Sequence, residues 1–295
     1  MAKTKIIILG ANGMLGSEVY KYLHLNKKFN VIGTTRLKRD KNFDFFDGKD
    51  FIKNPENYKF ITKADYIINC IGIIKPFCKD DDNEGILNAL LINSTFPYVL
   101  ANFIEKAKSN TKIINIATDC VFSGEKGNYH EHDPHSPMDT YDKSKDLGEI
   151  NSMNTLNIRT SIIGPQTNHS QNLMQWLLEQ ENGSKLNGFS DHLWNGVTTL
   201  QFAKLTEKII SRNKFVSLRK KNHVIHFVPN KAVSKYELLS IINKIYEKEL
   251  IIKKIKSPNG KVNRTLRTKY KELTNLYGKS DLKKEIKLLY EFSKK

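Results

Sequence analysis

Tyr141-Asp-Lys-Ser-Lys145 sets a phenol and a primary amine four residues apart, one helical turn, so both side chains project from the same face. An ammonium beside a phenol favours phenolate and lowers its pKa from about 10. Such a phenol can give its proton to an alkoxide forming on a carbonyl carbon near neutral pH. Upstream, Ala117-Thr118-Asp119 closes an apolar strand run, at the edge where open α/β sheets receive ligands. The Thr118 hydroxyl can hold the carbonyl oxygen for hydride attack, and Lys145 can reach the ribose of a nicotinamide nucleotide. A Y-x-x-x-K pair alone is common on helix surfaces. Its place behind a strand-end threonine and a glycine loop gives it weight.

That loop is Gly10-Ala-Asn12-Gly13-Met14-Leu15-Gly16, lying between the apolar run Lys5 to Leu9 and a helix-spaced stretch, Met14 to Leu25. A dinucleotide pyrophosphate needs backbone N–H groups at a helix start and glycines where a Cβ would collide. The spacing is G-x-x-G-x-x-G, and the plain alternative is a turn with a helix-packing glycine. After the second strand, Asn30 to Thr35, comes Arg36-Leu37-Lys38-Arg39 with no acid to bind a ribose 2′-hydroxyl. Arg36, with Lys38 or Arg39, can neutralise a 2′-phosphate. The expected cofactor is therefore NADPH, with NADH as the alternative; the competing reading is a basic surface loop.

Positioning these groups requires alternating elements. Further strands are expected at Ala64 to Ile71 and Thr111 to Ala117. Helices are expected at Gly85 to Ser109, broken by Pro97, and at Tyr141 to Ser152. Continuous apolar strands with helices between them predict an α/β fold, a Rossmann-type doubly wound parallel sheet covered on both faces. The alternation loosens from about Ser170, leaving helical candidates at Leu173–Glu181, Thr199–Ser211, Lys235–Lys248 and Asp281–Phe292. Residues 1–165 are read as the nucleotide-binding domain, its sheet completed by later segments. Residues 166–295 are read mainly as a smaller C-terminal substrate-binding lobe.

The 295 residues carry 39% hydrophobic and 27% charged side chains, which excludes whole-chain disorder, collagen and coiled coil. No apolar run approaches the ~20 residues a bilayer span needs, so no membrane partner is expected. Of the net charge of +17, residues 248–295 hold 15 basic against 5 acidic side chains. That stretch lacks zinc-finger spacing, Arg-Gly repeats and aromatic interleaving, so a solvated lysine-rich surface is expected and nucleic acid is not. Cys70, Cys78 and Cys120 form no C-x-x-C pair, which points to a reducing cytoplasm without disulfides or structural zinc. Cys120 is read as an apolar filler, His130, His132 and His135 as surface histidines, and Asp80 to Asp82 as a solvated acidic turn. No metal site is expected.

With these residues in view, the sequence resembles the extended short-chain dehydrogenase/reductase superfamily, and within it the dTDP-4-dehydrorhamnose reductase (RmlD-like) family. The stretches that carry it are Gly10–Gly16, Asn69-Cys-Ile-Gly72, Asn93 in Leu91-Ile-Asn-Ser-Thr, and Ala117-Thr-Asp-Cys-Val-Phe-Ser-Gly124. Tyr129-His-Glu-His-Asp133, Tyr141–Lys145 with Gly148-Glu149, and Ile158-Arg-Thr-Ser-Ile-Ile-Gly164 continue it. The resemblance implies Thr118, Tyr141 and Lys145 as catalytic trio. It implies a cofactor site lined by Met14, Leu15, Asp47, Cys70, Ile71 and Gly72, with Asn93 supporting it from behind. The substrate would lie near Asp119, Val121 and Phe122, with Asp191 to Thr199, including Trp194, as the opposite wall; Trp194 reads equally as a lobe-core residue.

The implied activity is NADPH-dependent reduction of the 4-keto group of a nucleotide-activated 6-deoxysugar, and a homodimer stays open. Departures from the family pattern are Cys120 for tyrosine, Asp142 for glycine, and Asn69-Cys-Ile-Gly-Ile-Ile-Lys75-Pro at a strand end that is usually Ala-rich. With Gly188 to Thr199, they point to a subgroup acting on UDP-linked 4-keto-6-deoxy-N-acetylhexosamines for surface glycans. Two rivals remain: an epimerase or dehydratase that keeps its NAD, and a non-catalytic nucleotide-binding regulatory subunit.

Overall fold

In a computed structural model describing residues 2–38, 40–165 and 172–294, the apolar runs become strands of one sheet. They are β1 (Thr4–Leu9), β2 (Phe29–Thr35), β3 (Asp44–Phe45), β4 (Tyr66–Asn69), β5 (Lys112–Ala117) and β6 (Thr155–Arg159). A seventh strand, Val224–His226, pairs with β6, giving the spatial order Val224–His226, β6, β5, β4, β1, β2, β3. Every pairing is parallel. Ile6 and Ile8 point into one core with Val19, Phe202 and Ile209. Ile7 and Leu9 point into the other with Phe51, Phe96 and Ile104. A strand buried on both faces needs apolar residues at every position, which explains the unbroken Ile-Ile-Ile-Leu run.

The helices α1 (Met14–His24) and α7 (Thr199–Ser211) cover the first face. On the second lie α2 (Gly48–Lys53) and the stretch formed by α3 (Asn83–Ala89), a π-helical turn at Leu90–Thr95 and α4 (Phe96–Lys106). Pro97, expected to break this helix, does not. It falls in the first turn after the wide turn, and having no N–H it leaves the Asn93 carbonyl without its usual helical donor. Gly148 packs on that carbonyl so closely that a Cβ would stand 2.0 Å from it. The same contact explains why α5 (Thr140–Leu147) stops well short of Ser152, with Gly148 as its C-cap. The helical stretch Asn83–Lys106 is long and apolar enough to cross a bilayer by length and composition, although polar residues interrupt its apolar runs. Here its apolar residues Phe96, Leu100, Ala101 and Ile104 cover the sheet.

The C-terminal helices start and stop near their expected bounds. Capping boxes fix the starts of α7 (Thr198 with Gln201) and of the helix Lys235–Ile245 (Ser234 with Glu237). A separate apolar cluster, including Met174, Leu177, Leu239, Ile242 and Leu289, lies beneath these later segments.

Across the centre of the sheet runs a ladder of buried amides. Asn69, Asn115 and Asn157 stand directly opposite one another on β4, β5 and β6. Asn69 Nδ2 donates to Asn115 Oδ1 at 2.9 Å, and Asn115 Nδ2 donates to Asn157 Oδ1 at 2.9 Å. Asn157 Nδ2 in turn reaches the carbonyls of Ile150 and His223. Asn115→Ala leaves two buried groups without partners, and each such group costs about 1–3 kcal/mol. Urea unfolding of this variant should show stability lowered by about 2–6 kcal/mol on that basis; an unchanged midpoint would remove the ladder from the account.

Candidate active site

The glycine loop closes tightly where β1 meets α1. Gly10 has φ of +79°, which only glycine adopts freely, and a Cβ on Gly16 would stand 2.1 Å from the Gly10 carbonyl. The α1 N-cap, Gly13, carries no capping side chain, so the first N–H groups of the helix face outward at the carboxyl edge of the sheet. That is the arrangement a pyrophosphate requires. The loop after β4 runs alongside: Cys70 N–H donates to the Leu9 carbonyl, Ile71 N–H to Asn69 Oδ1, and Gly72 is exposed. Arg36 and Lys38 follow β2, both exposed; Arg39 lies outside the described residues. Asp47 caps α2, its Oδ1 accepting from the N–H groups of Lys49 and Asp50, so that oxygen is committed to the helix.

Asn93, expected to support the cofactor site from behind, makes its bonds to protein groups. It is 2% exposed, accepts from Ile73 N–H, and donates to the Ile73 carbonyl and Ser144 Oγ. With its amide taken by protein groups, it ties the β4 loop to α5 from behind. The π-helical turn aims it there.

The predicted trio converges at the end of β5. Thr118 caps a short turn, accepting from Cys120 N–H at 3.2 Å and donating to Asp119 Oδ1 at 3.3 Å, and its hydroxyl lies near enough to the Tyr141 phenol to favour the phenolate. One helical turn later, Lys145 Nζ donates to the Ile116 carbonyl at 2.8 Å. Asp139 caps the N-terminus of α5, and Asp80 accepts from the Thr140 N–H and hydroxyl. The first aspartate of the expected acidic turn thus anchors the catalytic helix.

The electrostatics differ from expectation. Burial pushes the Tyr141 phenol well above its usual range, the Cys120 thiol adds to the rise, and the Thr118 hydroxyl opposes it. The phenol is thus protonated at neutral pH, in its proton-donating form. Burial also pushes Lys145 down, to about 8, against the opposing pull of Glu149 and Cys70. Cys120 rises to about 12 by burial, and an inert thiol is what that implies.

Other substrate candidates are redistributed. Val121 and Phe122 are fully buried, with Phe122 stacked on Tyr129 at 4.3 Å. Their side chains form a small core with Leu266, so the expected substrate contact through them is not met. Asp119 is 5% exposed and is held protonated more readily by burial, against the pull of Arg264 and a Ser161 hydrogen bond. Trp194 packs on the C-terminal cluster and overlies Gly196, whose other neighbour is the Ser161 carbonyl. It therefore stands behind Ser161, one contact from Asp119.

His135, Asp146 and Glu149 bring possible ligand atoms within 4.8 Å of one another. Those atoms are already engaged: His135 Nδ1 pairs with Asp146 at 2.5 Å, while the 1% exposed Arg159 forks onto Glu149 and also reaches His135 and His226. A guanidinium at the centre makes this an Arg-centred polar network. Two residues at the site escaped the sequence reading as functional groups. Lys75 appeared only as a departure from a pattern, and Arg264 had no local motif at all.

A glycine-loop Rossmann sheet with Thr118, Tyr141 and Lys145 at its carboxyl edge defines an extended short-chain dehydrogenase/reductase. The family model described as the RmlD substrate binding domain matches residues 4–285, and the chain belongs to that family. It is an NAD(P)-dependent oxidoreductase. No curated protein matches the sequence. Among solved structures, the chain is similar to a dTDP-4-dehydrorhamnose reductase of Clostridium acetobutylicum, with 21% identity, 99% and 100% of the two chains covered, and a TM-score of 0.75. It is also similar to the Bacillus anthracis dTDP-4-dehydrorhamnose reductase in complex with NADP, at 18% identity over 98% and 99%, TM-score 0.72. A UDP-glucuronic acid 4-epimerase of Bacillus cereus, in complex with UDP-glucuronic acid and NAD, shares 17% identity over 99% of each chain, TM-score 0.71.

Because Lys145 loses its proton at about 8, affinity for the nicotinamide dinucleotide should fall as pH rises through that value. A fluorescence titration should show this in the wild type, and Lys145→Arg, which stays charged, should flatten the profile. A wild-type affinity constant from pH 7 to 9 would contradict it.

Proposed function

We propose that the protein is an NADPH-dependent reductase of the 4-keto group of a nucleotide-activated 6-deoxysugar. The observation that carries this is the convergence of the Thr118 hydroxyl and the Tyr141 phenol at the carboxyl edge of β5 with Lys145 one turn away. A ketone oxygen seated between the two hydroxyls receives a hydrogen bond from Thr118 and the phenolic proton of Tyr141. The raised pKa of Tyr141 keeps that proton in place until alkoxide character develops. Lys145, charged below about 8, steadies the phenolate left behind.

The residues present fit a nicotinamide dinucleotide. The open N-terminus of α1 and the close-packed Gly10 and Gly16 would hold its pyrophosphate, and Lys145 its ribose. When bound, it supplies the hydride. The phosphate form is favoured because Arg36-Leu37-Lys38 follows β2 without a carboxylate. The substrates in view are dTDP-4-dehydrorhamnose and UDP-linked 4-keto-6-deoxy-N-acetylhexosamines. Resemblance to reductases of the first kind supports dTDP, and the departures at Cys120 and Asp142 support UDP. The proposed setting is surface-glycan synthesis in the cytoplasm, where the free thiols of Cys70, Cys78 and Cys120 fit a reducing compartment.

Purified protein with NADPH and freshly prepared 4-keto-6-deoxy sugar nucleotides should lose the absorbance of reduced nicotinamide. Tyr141→Phe should lower kcat by roughly 10²–10⁴-fold with NADPH affinity nearly unchanged, and a fully active Tyr141→Phe enzyme would sink the mechanism. Arg36→Ala should weaken NADPH roughly tenfold, the value of one charge-assisted hydrogen bond, and leave NADH unaffected. Equal losses for both cofactors would place Arg36 elsewhere.

A further inference from the structure

Next to Tyr141, α5 carries a fully buried carboxylate, Asp142, and cations from two distant parts of the chain reach it. Lys75, in the loop after β4, places Nζ 2.7 Å from Asp142 and 2.5 Å from Asp139, and 5.6 Å from the centre of the Tyr141 ring. Arg264 follows the strand Val262–Asn263 in the C-terminal part. Its Nε donates to the Phe122 carbonyl at 3.0 Å. Its Nη1 stands 3.7 Å from Cys120 Sγ and its Nη2 stands 3.6 Å from Asp142 Oδ2.

The two cations are differently served. Lys75 has two short ion pairs. Arg264 has five N–H donors: Nε bonds the Phe122 carbonyl and Nη1 the Cys120 sulfur, while Nη2 stands beyond hydrogen-bond length from Asp142. The side chain is 23% exposed, so the Nη groups lie at the open edge of the site with donor capacity beyond these contacts. The guanidinium is also fixed in place. Phe122 anchors one end, Asp142 attracts the other, and Cys120 lies between it and the carbonyl-binding Thr118. A planar fork held next to Cys120, whose own N–H bonds Thr118, and with N–H groups to spare, is suited to an oxygen acceptor on the molecule being reduced.

We propose that Arg264 binds the sugar of the substrate, its Nη groups donating to a hydroxyl or acyl oxygen on a ring carbon near the one being reduced. This rests on reading Thr118 and Tyr141 as the site of ketone reduction. Arg264 thereby discriminates among sugars, since a ring lacking an acceptor at that place leaves the fork unpaired. Lys75 pairs with the other oxygen of Asp142, and both cations oppose the burial that raises the pKa of this carboxyl.

The test separates sugar from nucleotide. Calorimetry on the NADP-loaded protein compares UDP with UDP-N-acetylglucosamine, and dTDP with dTDP-glucose. For at least one pair the wild type should bind the sugar form more tightly than its bare nucleotide. Arg264→Met should erase roughly tenfold to hundredfold of that difference, the range for a hydrogen bond to a charged group. Its NADPH affinity and affinity for the bare nucleotide should stay close to wild type. Arg264→Lys, which keeps the charge but not the fork, should recover part of the loss. The proposal is overturned by a sugar increment that is absent in the wild type, by one that is equal in wild type and Arg264→Met, or by parallel loss of nucleotide and NADPH affinity. Failure of the wild type to reduce any 4-keto sugar would instead refute the reductase reading, and the binding comparison reads Arg264 independently of turnover.

Discussion

Three asparagines hold the middle of this molecule in register. Asn69, Asn115 and Asn157 are each at most 3% exposed, and each bonds its neighbour across the sheet. Sliding one strand by a residue would turn its amide to the opposite face and strand its partners in an apolar interior. An apolar strand packs nearly as well in several registers, whereas a buried amide ladder satisfies its groups in one. Several parts of the candidate site leave the ends of these strands: the Cys70–Gly72 loop follows Asn69, Thr118 stands three residues past Asn115, and Arg159 two past Asn157.

Burial then governs the chemistry at those ends. The phenol of Tyr141 and the amine of Lys145 are both enclosed, and enclosure disfavours the charged form of each. One is thereby held as an acid and the other poised close to its own titration. The carboxylates nearby are handled by pairing: Asp142 against Lys75 and Arg264, Glu149 against Arg159. A site at the mouth of an apolar sheet can keep its charges only in such closed sets.

Much of this was legible along the chain because it is local. The Ile6-Ile7-Ile8-Leu9 run, the three glycines and the i, i+4 spacing of Tyr141 and Lys145 each encode geometry within a few residues, and α7 occupies the span its periodicity marks. Helix ends were less legible where a distant contact decides them: α5 stops at Gly148 because of the Asn93 carbonyl. That Val121 and Phe122 turn their side chains into a closed core was not legible, because motif position does not reveal that Tyr129 and Leu266 enclose them. Arg264 was invisible for the same reason, since it meets Cys120 and Asp142 across more than a hundred residues. The suppression of the tyrosine's acidity was missed because spacing supplies the neighbouring ammonium but not the desolvation that outweighs it.

The wide turn at Leu90–Thr95 has a consequence for how this scaffold can change. It inserts roughly one surplus residue into an otherwise regular helix, and everything downstream is rotated by about 100° relative to an uninterrupted one. Asn93 lies within that turn, so the rotation cannot be removed without swinging the amide away from Ile73 and Ser144. A shortened, idealised helix would fit the sheet at one end only, with either the apolar stripe of α4 or the brace behind the catalytic helix facing the wrong way. The irregularity is therefore shared property of core and site, and neither can be rebuilt without the other.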